Sequence, residues 1–282
     1  MGVKLSNDVV VTKVFNNSIV LVKSKGKEKI LFSKGIGFGK RFGEKILKGT
    51  EVDKLFTIED ENNLINLNKI VDRVDSEFFA FCEEIIYSIS ESLGEELSEN
   101  IHIGLIDHLY FAIKRLKDGE EIQNPFIVEI ETLYPKAFNL ASEASKKIGE
   151  KFNVKVPNGE IGFIALHIHS AINNSKLSHT IKYSYLSNLI VQNVEEKLKI
   201  KINKKSLDYA RFLTHIRFAI ERLLTKKTIK NELTSVIKEK YEKSYEIASY
   251  ISKLLEDELN TKIEDDEIAY LAMHIERLKL SL

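Results

Sequence analysis

A shift of 107 residues brings two stretches of the chain into register, and with them four of its seven histidines. His108–Leu116, HLYFAIKRL, falls on His215–Leu223, HIRFAIERL. Gly159–Ile168, GEIGFIALHI, falls on Asp266–Ile275, DEIAYLAMHI, so His108 pairs with His215 and His167 with His274. The same offset lays Tyr134–Lys155 on Tyr241–Lys262. A repeat this long exceeds the period of solenoid units and predicts tandem domains of roughly one hundred residues each. Apolar residues recur at helical spacing over Ile70–Leu93, Ile103–Leu116 and Leu133–Phe152, which predicts that each copy is a helical bundle. Pro125 and Pro157 punctuate the helices, and the copies join near Asn173–Ser178.

Residues 1–58 have another character. They hold seven of the thirteen glycines and twelve Lys/Arg against five Asp/Glu, a charge of +7 that leaves −7 on the remainder of a chain with net charge +0. Val9–Phe15 and Ser18–Lys23 flank a turn at Asn16-Asn17, Ser24–Lys27 forms a second turn before Glu28–Ser33, and Val52–Ile58 predicts a last strand. The expected fold class is multidomain: a small antiparallel β module over 1–60, then two all-α helical-bundle domains over 69–174 and 177–282. The polar Glu59–Asn68 is expected to be a linker. A basic module on an acidic body suggests a polyanion partner. A sheet this small buries little surface alone, so a homodimer is expected. The single cysteine, Cys82, excludes an internal disulfide framework and Cys-rich zinc sites. With no signal-peptide pattern and no apolar run of spanning length, the expected place is the cytoplasm, without membrane insertion.

The repeated histidines admit three chemistries. Leu213, Ile216, Ile220 and Leu223 form the apolar stripe of their helix; His215 lies off it, with Arg222 seven residues on, as Arg115 follows His108. Glu160 and Glu267 precede His167 and His274 by the same interval. Metal ligation would draw on His167-Ile-His169 and Asp107-His108, but His-x-His on a helix points to different faces. The second copy also has Glu276 and Thr214 at the corresponding places, so no metal is expected. Catalysis would use the histidine–glutamate pairing for general acid–base work. No nucleophile elbow or phosphate loop accompanies it, so neither an enzyme nor a cofactor is expected. Phosphorylation adds a charge of roughly −2 and three acceptor oxygens, which repel or dock onto arginine where domains meet. A doubled histidine pair suits such a two-input switch.

Three blocks give the chain a family resemblance. KVFNNSIVLV (Lys13–Val22) with KGIGFGKR (Lys34–Arg41), then IDHLYFAIKRL with GFIALHI, then LTHIRFAIERL with YLAMHIERL, stand in the order and spacing of the BglG/SacY/LicT transcriptional antiterminators. The resemblance covers essentially the whole chain, and the wording Gly-Ile-Gly-Phe-Gly-Lys is similar to the glucose-type branch. It implies a co-antiterminator module that binds an RNA hairpin as a dimer and prevents termination of a sugar-transport transcript. It implies that two phosphotransferase regulation domains accept phosphoryl groups from HPr and a sugar-specific transporter component, at His108, His167, His215 and His274. The RNA-binding positions it carries over are Lys13, Asn16, Asn17, Ser18, Lys34, Gly35, Phe38 and Lys40, with Ser18 standing where many members have a third asparagine. Lysines neutralise phosphates, asparagines bond base edges and an aromatic ring stacks on an unpaired base. Two other readings remain at this stage: a DNA-binding activator with the same regulatory domains, and a histidine phosphocarrier or enzyme without nucleic acid. The first normally brings a helix-turn-helix, which the strand-rich module lacks; the second leaves the +7 module unexplained.

Overall fold

Strand β3 (Ile19–Ser24) is the centre of the N-terminal module because its run of Ile19, Val20, Leu21 and Val22 is apolar on both faces. It pairs antiparallel with β2 (Val9–Val14) and β4 (Lys27–Phe32). β5 (Lys45–Ile46) and β7 (Lys54–Ile58) complete a five-stranded sheet of order β5-β2-β3-β4-β7. A register shift between Val11 and Lys13 in β2 marks a bulge that bends this strand. A ribbon of β1 (Val3–Lys4) and β6 (Glu51–Val52) helps close one face, where Leu5, Val9, Val11, Val20, Val22, Leu31, Ile46 and Val52 form a core.

The computed structural model describes residues 2–281. Eleven helices follow the sheet among these residues: α1 (Glu61–Arg73), α2 (Ser76–Leu93), α3 (Asn100–Lys117), α4 (Ile127–Leu133), α5 (Pro135–Phe152), α6 (Asn158–Ile172), α7 (Leu177–Leu198), α8 (Leu207–Leu224), α9 (Thr234–Lys240), α10 (Glu242–Leu259) and α11 (Asp265–Leu280). The chain divides into two compact units. One contains the sheet, the helices through Gln123, and Ala137–Lys176; the other contains Asn124–Lys136 and the residues from Leu177 onward.

In the first unit, helices cover the second face of the sheet. Phe15 stacks on Phe79 at 4.1 Å between centroids, Phe32 stacks on Tyr87 at 4.1 Å, and Phe56 packs on His102 at 4.5 Å. The small sheet thus gains from α2 and α3 the burial it lacks alone. His102 is fully buried, and its Nδ1 lies 2.9–3.0 Å from both oxygens of buried Glu83.

Several expectations need correction. Glu59–Asn68 is not an open linker: Asp60 caps α1 by accepting from the backbone N–H groups of Asn62 and Asn63, and Leu67 enters the core. The expected first helical domain, 69–174, therefore starts inside a helix. The helical spacing over Ile70–Leu93 is divided between two helices: α1 ends at extended Val74, and Asp75 caps α2 by accepting from the N–H of Phe78. The stretch from Leu133 breaks at Tyr134, after which Pro135 opens α5.

One helix of the first repeat belongs to the second compact unit. α4 lies in the second unit, among α7 and α8. Ile130 is fully buried, and the Val128 and Leu133 side chains pack on that unit's core. Buried Glu129 accepts from the Tyr209 hydroxyl at 2.7 Å and from Lys204 Nζ at 3.0 Å. In the second copy, α9 packs on α10 and α11 of its own repeat.

Candidate functional site

The 107-residue repeat builds the same cluster twice, once between α3 and α6 and once between α8 and α11. In the first, α3 contributes His108 and Arg115, two turns apart on one face, and α6 contributes Glu160 and His167. The helix pair turns these shared faces toward each other. Glu160 is 1% exposed, with Oε1 accepting from Arg115 Nη2 at 2.9 Å and Oε2 lying 3.0 Å from His108 Nε2. The His108 and His167 rings are 5.3 Å apart, and Phe163 lies 5.9 Å from His108. Gly104 lets His167 approach α3 closely, since a Cβ there would come within 3.0 Å of His167 Nδ1.

In the second cluster the His215 and His274 rings stack at 3.8 Å and 17°. Arg222 grips Glu267 with two bonds, Nε to Oε1 at 2.6 Å and Nη2 to Oε2 at 2.8 Å. Tyr270, which the repeat aligns with Phe163, changes the wiring. Its hydroxyl meets His215 Nδ1 at 3.2 Å, and its ring lies 4.7 Å beneath the Arg222 guanidinium. With His215 served by this hydroxyl, Glu267 gives both oxygens to the arginine, whereas Glu160 divides its oxygens between Arg115 and His108. Arg211 and Arg277 line a shallow pocket with His215 and His274; the first copy has Gly104 and Ser170 at these places.

Burial disfavours the charged form of three of these histidines. Burial, and then the charge of His108, lowers the His167 pKa to about 3. Burial, followed by His215 and the nearby arginines, lowers His274 to about 4. His215 is lowered by burial and by Arg277. Burial alone would raise the Glu160 carboxyl, but bonds and charges from His108 and Arg115 outweigh it and keep the group below the ordinary value. A neutral imidazole beside a fixed carboxylate retains a lone pair for attack on an electrophile.

The N-terminal module joins the two motifs picked out by the sequence. Asn16 shapes the β2–β3 turn, its carboxamide oxygen accepting from the N–H of Ser18 and of Ile19 at 2.8 Å each. The glycine-rich loop lies against this turn: the N–H of Gly37 donates to the Asn17 carbonyl at 3.0 Å, and that of Ser33 to the Ser18 carbonyl at 2.9 Å. A Cβ on Gly37 would lie 2.2 Å from the Asn16 carbonyl oxygen. Gly37→Ala is therefore expected to force loop and turn apart and to destabilise the module by about 1–3 kcal/mol, measurable by urea denaturation. Unchanged stability would mean the loop does not need this contact.

The carried-over positions divide into two sets. Asn17, Lys34, Gly35 and Phe38 are exposed, with Phe38 at 76%, while Ser18 and Lys40 are half-buried at the same junction. Gly35 has φ +81°, a backbone conformation that glycine adopts without strain. Lys13 and Asn16 instead reach the helices of their own unit. Lys13 Nζ donates to the Val71 carbonyl at 2.8 Å, and Asn16 Nδ2 to Glu84 at 3.3 Å. Two candidates were missed by the motif reading, Arg41 and Phe42, the latter 81% exposed beside Phe38 on the same loop. An aromatic among charged and glycine residues, with no apolar periodicity around it, was the available signal.

Comparison with known proteins adds to this geometry. The PRD domain model matches residues 83–171 and 188–278, and the CAT RNA binding domain model matches residues 9–64. The PtsGHI operon antiterminator of Bacillus subtilis is 37% identical over 277 residues, covering 97% of this chain and 98% of that protein. Transcription antiterminator LicT of the same organism is 32% identical over 272 residues, covering 95% and 98%. A crystal structure of GlcT CAT-PRDI, 42% identical, superposes with a TM-score of 0.52 over 60% of this chain and the whole of that one.

Proposed function

The chain belongs to the family of transcriptional antiterminators that join a CAT RNA-binding domain to PRD domains, and on that footing we propose that it binds a leader-RNA hairpin as a homodimer and prevents termination of a sugar-transport transcript of the glucose type. The module at 1–60 makes the RNA contact, through the loop–turn junction of Asn17, Ser18, Lys34, Gly35, Phe38 and Lys40, with Lys13 and Asn16 beside it. The helical domains are the regulators. His108, His167, His215 and His274 accept phosphoryl groups that originate in the phosphotransferase system and arrive through HPr and a sugar-specific transporter component. The single observation that carries this reading is the doubled cluster: two close histidine rings under a glutamate–arginine pair, in a chain whose basic surface lies on a separate module. In the second cluster Arg277, together with Arg211 paired to Asp208, lines the pocket of His215 and His274 and supplies cationic partners for a phosphoryl group.

A band shift of the full chain with a leader-RNA hairpin, against duplex DNA of matched length, tests the RNA assignment. Binding of RNA at least tenfold tighter, with a log–log salt slope reflecting several phosphate contacts, is expected. Equal binding to both nucleic acids would sink the antiterminator reading and favour a DNA-binding activator.

A further inference from the structure

His108 and His215 hold the same place in the repeat, yet different ring nitrogens of theirs are engaged. Nε2 of His108 is buried and lies 3.0 Å from Oε2 of Glu160, a close charge contact rather than an aligned hydrogen bond. On His215 it is Nδ1 that meets a partner, the Tyr270 hydroxyl at 3.2 Å. Among the described residues no group bonds the other nitrogen of either ring, and neither of those nitrogens is a buried orphan. Resting on the phosphoryl-acceptor reading above, we infer that the two domains carry the phosphoryl group on opposite nitrogens, Nδ1 of His108 and Nε2 of His215.

The first assignment follows from the carboxylate. An ionised carboxylate accepts hydrogen bonds and donates none. Arg115 bonds Oε1 of Glu160 and favours its ionised form. In the tautomer that can attack, the His108 proton sits on Nε2, facing Oε2, and the lone pair on Nδ1. That lone pair attacks the phosphorus of a phosphohistidine on the donor protein. A new N–P bond forms as the donor's N–P bond breaks, and the bonding pair returns to the donor ring. The donor ring, protonated on its other nitrogen, leaves as a neutral imidazole. The proton on Nε2 of His108 stays where Glu160 stabilises the positive charge that the ring gains.

The second assignment follows from one substitution within the repeat. Phe163 has no polar atom to offer His108, and the ring turns to Glu160. Tyr270 has a hydroxyl, which occupies Nδ1 of His215 and leaves Nε2 as the open nitrogen. A tyrosine oxygen accepts as well as donates, so Nδ1 can hold the proton required when Nε2 bears phosphorus. Glu267, fully occupied by Arg222, takes no part at this ring.

The test uses the full chain, labelled with ¹⁵N at histidine and treated with potassium phosphoramidate, a donor that needs no partner protein. Long-range ¹H–¹⁵N NMR reads which ring nitrogen carries phosphorus, and spectra of the His108→Gln and His215→Gln chains identify the two rings. Phosphorus on Nδ1 of His108 and on Nε2 of His215 is expected. The same nitrogen in both rings, the reverse pairing, or no modification of either ring overturns the inference. Tyr270→Phe opens Nδ1 of His215 and is expected to turn its single isomer into a mixture; an unchanged isomer rules out the blocking role of the hydroxyl. A parallel reaction with phosphoenolpyruvate, enzyme I and HPr separates the two claims. Failure of that reaction alone counts against the proposed donors, and the phosphoramidate result still decides the nitrogen.

Discussion

Arg222→Ala is expected to destabilise the second unit by about 3–5 kcal/mol, the usual consequence of stranding one member of a buried ion pair. Glu267 is 7% exposed, and both of its carboxylate oxygens accept from Arg222. Among the described residues no other side chain bonds that carboxylate, and without the guanidinium Tyr270 also loses the cation over its ring. Arg115→Ala is expected to cost the first unit less, about 2–3 kcal/mol, because Glu160 keeps His108 beside its second oxygen. Urea denaturation of the two variants, followed by far-UV circular dichroism, gives both numbers. The ordering matters as much as the size. Equal losses would mean that His108 gives Glu160 no support, and with it would go the account of how Tyr270 rewires the second cluster.

Acidification from pH 7 to pH 5 is expected to remove about 2 kcal/mol from the second unit and a similar amount from the first. The direction follows from the buried histidines. His274 has its pKa lowered from 6.5 to about 4, and His167 from 6.5 to about 3. As pH falls below 6.5 the unfolded chain binds a proton that the folded chain refuses, so stability drops by about 1.4 kcal/mol per pH unit for each histidine. The loss continues until the folded-state values are reached. Glu160 adds a further loss at lower pH, since its depressed pKa contributes stability above its ordinary value that disappears as pH falls through the folded one. Stability measured at pH 7 and pH 5 in the wild type, in His167→Gln and in His274→Gln tests the assignment. Each variant is expected to lose its own share of the pH dependence. A wild-type profile flat between these pH values would show that the two rings are not held neutral by burial.

Much of the site was legible because the repeat put it there twice. The interval of seven between Glu160 and His167, and between His108 and Arg115, places each pair on one helix face, and helical periodicity is a local property that sequence reveals directly. That the glutamate of one helix meets the arginine and histidine of another is a pairing between chain segments some fifty residues apart. No spacing encodes it. The same limit hid the engagement of Lys13 and Asn16 with α1 and α2. In the motif they read as surface groups of the basic module, but the bulge in β2 and the stack of Phe15 on Phe79 turn this edge toward the helices. Phe38 presented the opposite case. An aromatic residue is usually a core residue, and only the positive-φ glycines around it explain why the loop holds it out to solvent.

By itself the sequence determined the class of each element: a strand-rich basic module, then two copies of one helical pattern in a fixed register. Tertiary structure alone decided which core each helix serves. α4 and α9 occupy equivalent places, 107 residues apart, and are equally short. α9 remains with its own copy, while α4 is built into the other unit. The physical difference lies in three aligned pairs: Val128, Glu129 and Leu133 on α4 stand against Ser235, Val236 and Lys240 on α9. Glu129 on α4 is fully buried, and its Oε1 accepts from Tyr209 and Lys204; its counterpart on α9, Val236, requires no donor and is exposed. α4 sits where its apolar side chains and one buried carboxylate oxygen find partners, and the groups that bond that oxygen lie some eighty residues away in the chain.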